Sequence, residues 1–170
     1  FVSWHQDLTY WGLDGEKLVT AWVALSEVTT ENGCMKIFPG SHREGKYEHQ
    51  DTFGENNILH RGQELSINID EEQTVSVELQ PGQVSFHHGW VAHASHPNTT
   101  NDRRIGLSLQ YITPRTQQKH TDLESATLVR GKDRYGNFRP EPLCTENFAP
   151  EMVTFQAEVE RLKHKVYDTK

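Results

Sequence analysis

Residues 5–7, His-Gln-Asp, place an imidazole and a carboxylate two positions apart. In an extended strand, side chains at i and i+2 leave the same face, so this pair can grip one cation. A second histidine from a distant strand would complete a set of two imidazoles and one carboxylate, which holds iron(II) and leaves adjacent coordination positions open. The triplet alone is a weak signal, because a chain with ten histidines forms one by chance. The stretch GWVAHASHPN, residues 89–98, supplies the partner in His93, and Arg104 follows it eleven positions later. A guanidinium is always cationic and binds a carboxylate in bidentate fashion. It suits a keto acid such as 2-oxoglutarate, which chelates the ion at one end and presents its far carboxylate at the other. Adjacent strand residues face opposite ways, so only one of Arg103 and Arg104 points inward. Arg104 is the one expected to do so.

These side chains need strands to position them. Residues 17–28 are rich in β-branched and aromatic types, with Val19, Ala21, Val23 and Leu25 alternating, which predicts a half-buried strand. Residues 34–38 predict a second strand, joined to the first by a hairpin through the polar turn at 29–33. The polar stretch 41–57 reads as a long surface loop. Further strands are expected at 65–69, 75–79, 84–88, 91–95 and 105–113, and residues 1–4 read as a strand already under way. Short strands with frequent turns mean an all-β sandwich or barrel. Near the end, Met152, Phe155, Val159, Leu162 and Val166 recur at spacings of three and four after Pro150, which predicts one amphipathic helix docked on the β core.

Composition narrows the function classes. At 170 residues the chain is long enough for a single domain, residues 1–170. A formal charge of −7 with scattered basic residues argues against nucleic acid or an anionic membrane as partner. No apolar run approaches the roughly 18 residues of a membrane span. Two distant cysteines, Cys34 and Cys144, form no disulfide framework or thiolate metal motif, which points to the cytoplasm, and the acidic surface speaks against a polyanion and leaves a small-molecule substrate as the expected partner. The sequence sets no oligomeric state. The chain opens without a methionine, and a missing N-terminal portion is expected. Among the other histidines, His87 and His88 precede a glycine turn on alternate faces and read as structural or solvated. His42 reads as bracing a turn, and Tyr10 and Trp11 as core aromatics or a wall beside Asp7.

The segments HQDLTYW, VTAWVALSEVTTENGCMKIFPGSH, LQPGQVSFHHGWVAHASHPN and DRRIGLSLQYI occur in that order. Along residues 1–113 they resemble the phytanoyl-CoA dioxygenase family, and LVRGKDRYGNF at 128–138 is similar to the tail of its bacterial members. The resemblance implies a double-stranded β-helix (jelly roll, cupin-like). It also implies Fe(II), 2-oxoglutarate and O2 as cofactor and cosubstrates, with His5, Asp7 and His93 as metal ligands and Arg104 on the far carboxylate. Trp22 and Ser95 would line the 2-oxoglutarate pocket. The family's N-terminal helices and first strands have no counterpart here, so the chain is expected to be the C-terminal catalytic part of such an oxygenase. Related non-haem halogenases carry a small residue at the position of Asp7, so Asp7 points to oxygenation. The function implied is hydroxylation of an unactivated C–H bond of a small organic metabolite, with release of succinate and CO2. A fatty acyl-CoA fits less well, since no basic cluster for its phosphates is visible. Two other readings remain: a cupin-like metalloenzyme that does not use 2-oxoglutarate, and a non-catalytic β-barrel binding module.

Overall fold

The computed structural model describes residues 1–121 and 124–168, with the backbone alone for 165–168. Among the described residues, eleven strands run in chain order: β1 (Val2–His5), β2 (Leu18–Ala24), β3 (Met35–Ile37), β4 (His49–Asp51), β5 (Gln63–Leu65), β6 (Val75–Val77), β7 (Val84–His88), β8 (His93–Ser95), β9 (Gly106–Ile112), β10 (Ser125–Ala126) and β11 (Arg139–Pro140). The helix α1 (Pro150–Asp168) closes the described chain. Two compact units emerge, one of Phe1–Thr9 with Lys17–Tyr111, the other of Tyr10–Glu16 with Ile112–Lys170.

The first unit is built on two sheets. One has the order β1-β8-β3-β6 and the other β7-β2-β9, and β4 pairs with β5 in a separate ribbon. The expected hairpin between β2 and β3 does not form, because these strands belong to different sheets. The turn between them is a crossover. The Thr29 N–H is held by the Asn32 side chain at 2.9 Å, and Gly33 takes a φ of 80°, a left-handed value open to glycine at little cost. A Cβ there would also stand 2.5 Å from the His96 carbonyl oxygen, so the chain passes close to the β8 end at this point.

Residues 41–57, expected as a loop, instead hold a 3-10 turn at Ser41–Glu44 and strand β4, which pairs antiparallel with β5. The burial of β2 also departs from the alternation read above. Leu18, Thr20, Ala21 and Ala24 are buried, whereas Val19 and Leu25 are exposed. The reason lies in the opposite face, which carries Thr20 and Trp22 inward. Two small apolar clusters hold the unit together. Ala24, Val28 and Cys34 pack with Trp22 and Leu79, and Leu65, Ile69 and Ala92 pack with Trp4, Phe38 and Tyr47.

In the second unit the predicted helix is present, and the residues of its stripe are its more buried ones. Leu162 is buried, and Met152, Phe155 and Val159 are partly buried. Val166 lies outside the described side chains. Arg139 of β11 lies over the Phe155 ring at 4.7 Å and pairs with Glu158 at 3.1 Å, which fixes one turn of the helix to the strand. Tyr10 and Trp11 belong to this unit.

Candidate metal centre

β1 and β8 pair antiparallel, with His5 opposite His93 and Val2 opposite Ser95. Three steps along β1 match two along β8, so β1 carries an extra residue, and such a bulge re-aims the side chains beside it. His5 and His93 emerge on one side with ring centroids 4.1 Å apart. β1 stops at His5, and Asp7 opens a 3-10 turn, Asp7–Thr9, instead of continuing the strand as the spacing suggested. Leu8 N–H bonds the Gly89 carbonyl at 3.1 Å and Thr9 N–H bonds that of Gln6 at 3.2 Å, which sets the turn. Asp7 still reaches the histidines. Its Oδ1 stands 3.5 Å from His5 Nε2 and 3.6 Å from His93 Nε2.

Gln6, between the two expected ligands, is 0% exposed. Its amide donates to the carbonyls of Gly45 and Trp90, both at 2.8 Å, and its oxygen accepts from the Tyr47 N–H at 2.7 Å. The HxD segment is therefore clamped from behind. Its own N–H donates to His49 Nε2 at 3.2 Å.

The tautomers follow from the partners. Nδ1 of His5 faces the Ser3 carbonyl at 2.9 Å, and Nδ1 of His93 faces the Val91 carbonyl at 3.0 Å. A carbonyl only accepts, so Nδ1 carries the proton and the neutral ring keeps its lone pair on Nε2. Burial pulls His93 down to about 3, with the charge of His5 acting in the same direction, so that ring is neutral near pH 7. For Asp7, burial favours protonation. The imidazoles of His5, His87 and His93 gathered around it outweigh burial and hold the carboxyl well below the usual range. The result is two lone pairs and one carboxylate oxygen converging, all within 4.8 Å of one another. Three acceptors aimed at one point repel each other unless a cation stands among them. Adjacent ligand atoms on a six-coordinate ion at bond lengths near 2.1 Å lie about 3 Å apart, so the residues fit a metal once the two nitrogens, 3.5 and 3.6 Å from Oδ1, draw in by about half an ångström or more.

The second sheet supplies what sequence reading missed. Thr20 of β2 and His87 of β7 are register partners. The Thr20 hydroxyl donates to Asp7 Oδ2 at 3.0 Å, and His87 Nε2 stands 3.5 Å from the same oxygen. His87 is thus buried and faces Asp7, not solvent, while His88 accepts the Trp90 N–H at Nδ1, 3.1 Å away. The pairing of residue 20 with residue 87 is a tertiary fact with no local signature.

Arg104 lies 5.3 Å from the centroid of the Trp22 ring, in cation–π range. Burial draws its guanidinium below the ordinary value, with Cys34 opposing. Trp22 packs on Gly106, where a Cβ would stand 1.9 Å from a ring carbon. Arg104 and Ser95 line one cavity of about 140 Å³, together with His96 and Asn98. Ser95 is two residues beyond His93 on β8, and Trp22 two beyond Thr20 on β2. Both therefore share a face with site residues.

Comparison with known proteins agrees with this geometry. A plant relative named phytanoyl-CoA dioxygenase, from Arabidopsis thaliana, is 30% identical over 108 residues, covering 64% of this chain and 37% of its own length. A solved structure titled non-heme monooxygenase ThoJ, in its apo form, superposes with a TM-score of 0.85 at 37% identity, over 98% of this chain and 60% of that one. The epimerase SnoN from nogalamycin biosynthesis, solved with Fe3+, alpha ketoglutarate and nogalamycin RO, gives a TM-score of 0.56 at 26% identity, over 69% and 44% of the two chains. This chain spans a third to a half of the length of the curated relatives it matches, from 35% to 47% among the first four. The family described as phytanoyl-CoA dioxygenase (PhyH) matches residues 2–106, well over half of the chain, and the chain belongs to that family.

Proposed function

We propose that residues 1–170 form the catalytic part of an Fe(II)- and 2-oxoglutarate-dependent dioxygenase with a double-stranded β-helix core, which hydroxylates a C–H bond of a small organic metabolite. The observation that carries this reading is the convergence of His5 Nε2, His93 Nε2 and Asp7 Oδ1, with both Nδ1 protons committed to backbone carbonyls. It presents two imidazoles and one carboxylate, the donor set of non-haem iron oxygenases. When bound, iron and 2-oxoglutarate supply the oxidising chemistry, in which one O2 is consumed, succinate and CO2 are released, and one oxygen atom enters the substrate C–H bond.

The chain's own residues do the rest. Asp7 stays ionised and His93 neutral, so both are ready to ligate without first losing a proton. Two residues of β2, about 7 Å of strand, separate Thr20 beside Asp7 from Trp22 beneath Arg104. That spacing suits a short dicarboxylate with its keto acid end on the ion and its far carboxylate on the guanidinium. Arg104 is what favours 2-oxoglutarate over a cupin-like chemistry without it or a binding module. The burial of His5, Gln6 and His93 keeps bulk water from the ligands. The compartment proposed is cytoplasmic, in keeping with the unpaired Cys34 and Cys144.

Anaerobic addition of Fe(II) and 2-oxoglutarate is expected to produce the visible charge-transfer absorption of the chelate, and admission of O2 to release succinate. Asp7→Ala should abolish both. Undiminished succinate release by Asp7→Ala would refute the ligand assignment. A full 2-oxoglutarate response in Arg104→Ala would favour the cosubstrate-independent chemistry.

A further inference from the structure

We propose that His87 is a positioning residue which, together with Thr20, holds Asp7 Oδ2 away from the metal so that the carboxylate ligates through Oδ1 alone. This rests on the metal-centre reading above. The two sheets divide the Asp7 carboxylate between them. The β1–β8 pair directs His5 and His93 at Oδ1, and the β2–β7 pair directs Thr20 and His87 at Oδ2.

The case for His87 begins with its burial. Its side chain is 3% exposed, and among the described residues neither ring nitrogen has a hydrogen-bond partner at ordinary distance. A buried imidazole N–H without a partner is costly. The polar atom that Nε2 faces is Asp7 Oδ2, 3.5 Å away. A carboxylate oxygen only accepts, so the proton on Nε2 must point at it. Closing the gap by about half an ångström gives an ordinary hydrogen bond. His87 is not itself placed as a ligand. The atoms that converge on one point are those of His5, Asp7 and His93, and the His87 ring centroid stands 4.8 Å from that of His93.

The chemical consequence concerns open positions. A carboxylate with a free second oxygen can swing to chelate the ion and occupy a site needed by cosubstrate or dioxygen. Two donors on Oδ2 oppose that swing. Outer partners of this kind fix ligand orientation, and losing one weakens metal binding by about 10–100-fold.

The test uses Co(II) alone, titrated anaerobically into the whole chain, read by equilibrium dialysis and by the shape of the visible d–d absorption. His87→Leu keeps the bulk and removes the donor, His87→Gln returns an amide donor, and Thr20→Val removes the hydroxyl at nearly constant shape. Expected are a roughly tenfold or greater loss of Co(II) affinity with an altered band in His87→Leu and in Thr20→Val. His87→Gln should restore both affinity and band shape to near wild type. Wild-type affinity and band in His87→Leu would overturn the proposal, as would a His87→Gln variant as weak as His87→Leu. If His87→Leu does not fold, Thr20→Val and His87→Gln decide: an unchanged Thr20→Val or a weakened His87→Gln overturns it. Wild-type protein that binds Co(II) no better than Asp7→Ala would instead sink the metal centre itself.

Discussion

His5 and His93 are register partners across β1 and β8, with ring centroids 4.1 Å apart. Backbone pairing therefore brings the two imidazoles together. A preformed site adds binding free energy to an already folded state. At a metal concentration 100 times Kd this linkage stabilises the protein by about 2.7 kcal/mol. Metal addition is thus expected to raise Tm without changing the far-UV circular dichroism, and His5→Ala and His93→Ala should keep the fold and lose the increment. A far-UV signal that grows on metal addition would show that the site is assembled by the ion.

Gln6 gives a prediction about stability separate from chemistry. It is fully buried and satisfies two carbonyls, of Gly45 and Trp90, and the Tyr47 N–H. Gln6→Ala strands these groups in a dry environment, at about 1–3 kcal/mol each where water cannot replace the amide. A loss of at least about 3 kcal/mol in urea unfolding is expected. A loss under about 1 kcal/mol would mean that the clamp behind the HxD segment is not a stabilising element.

These cases also show what was legible in the sequence. His5, Asp7 and His93 could be picked out because ligand chemistry restricts residue type and two of the three are near neighbours in the chain. Strand β7 was expected at its observed bounds, 84–88, and the α1 stripe was visible because helical periodicity is local. The β4–β5 ribbon was not, since His49, Gln50 and Asp51 are polar and carry no strand signature. The hairpin expected at 29–33 fails because a turn motif does not reveal whether the strands it joins share a sheet. Thr20 escaped notice, and His87 was read as structural or solvated, for the same physical reason. Their meaning depends on a register that joins positions 67 apart.

Gly106 tests the cosubstrate side. A methyl group there would stand 1.9 Å from the Trp22 ring, and the indole must move to admit it. Moving Trp22 removes the face on which Arg104 rests, a contact of about 0.5–2 kcal/mol. Gly106→Ala is expected to weaken 2-oxoglutarate binding by about 3–30-fold while leaving metal affinity near wild type, since the triad lies on other residues. Adding Trp22→Phe makes room for the methyl and should recover part of the packing but not the full affinity. Isothermal titration of 2-oxoglutarate into metal-loaded protein reads both, and wild-type affinity in Gly106→Ala would show that Trp22 does not position Arg104.

The acid sensitivity of the metal-free fold should trace to His49. Burial lowers its pKa from 6.5 to about 4, against the favourable backbone contact with Tyr47, and the charges of His5 and Lys46 act in the same direction as burial. Its Nδ1 faces the Tyr47 carbonyl at 2.9 Å, and its Nε2 accepts the Gln6 N–H at 3.2 Å, so both nitrogens are committed in the neutral form. Above pH 6.5 the ring is neutral in folded and unfolded chains, and pH has no leverage through it. Between about 6.5 and about 4 the unfolded chain binds a proton that the folded chain refuses, so stability falls as the pH is lowered through that window. Below it the folded ring also protonates and the slope ends. His93 contributes with the same sign in wild type and in any His49 variant, so it cancels from their comparison. His49→Gln cannot titrate, yet offers an amide oxygen to the Gln6 N–H and an amide proton to the Tyr47 carbonyl. Urea midpoints measured on metal-free protein at pH 7 and pH 5 should therefore drop further in wild type than in His49→Gln. Equal drops would place the acid-sensitive group elsewhere.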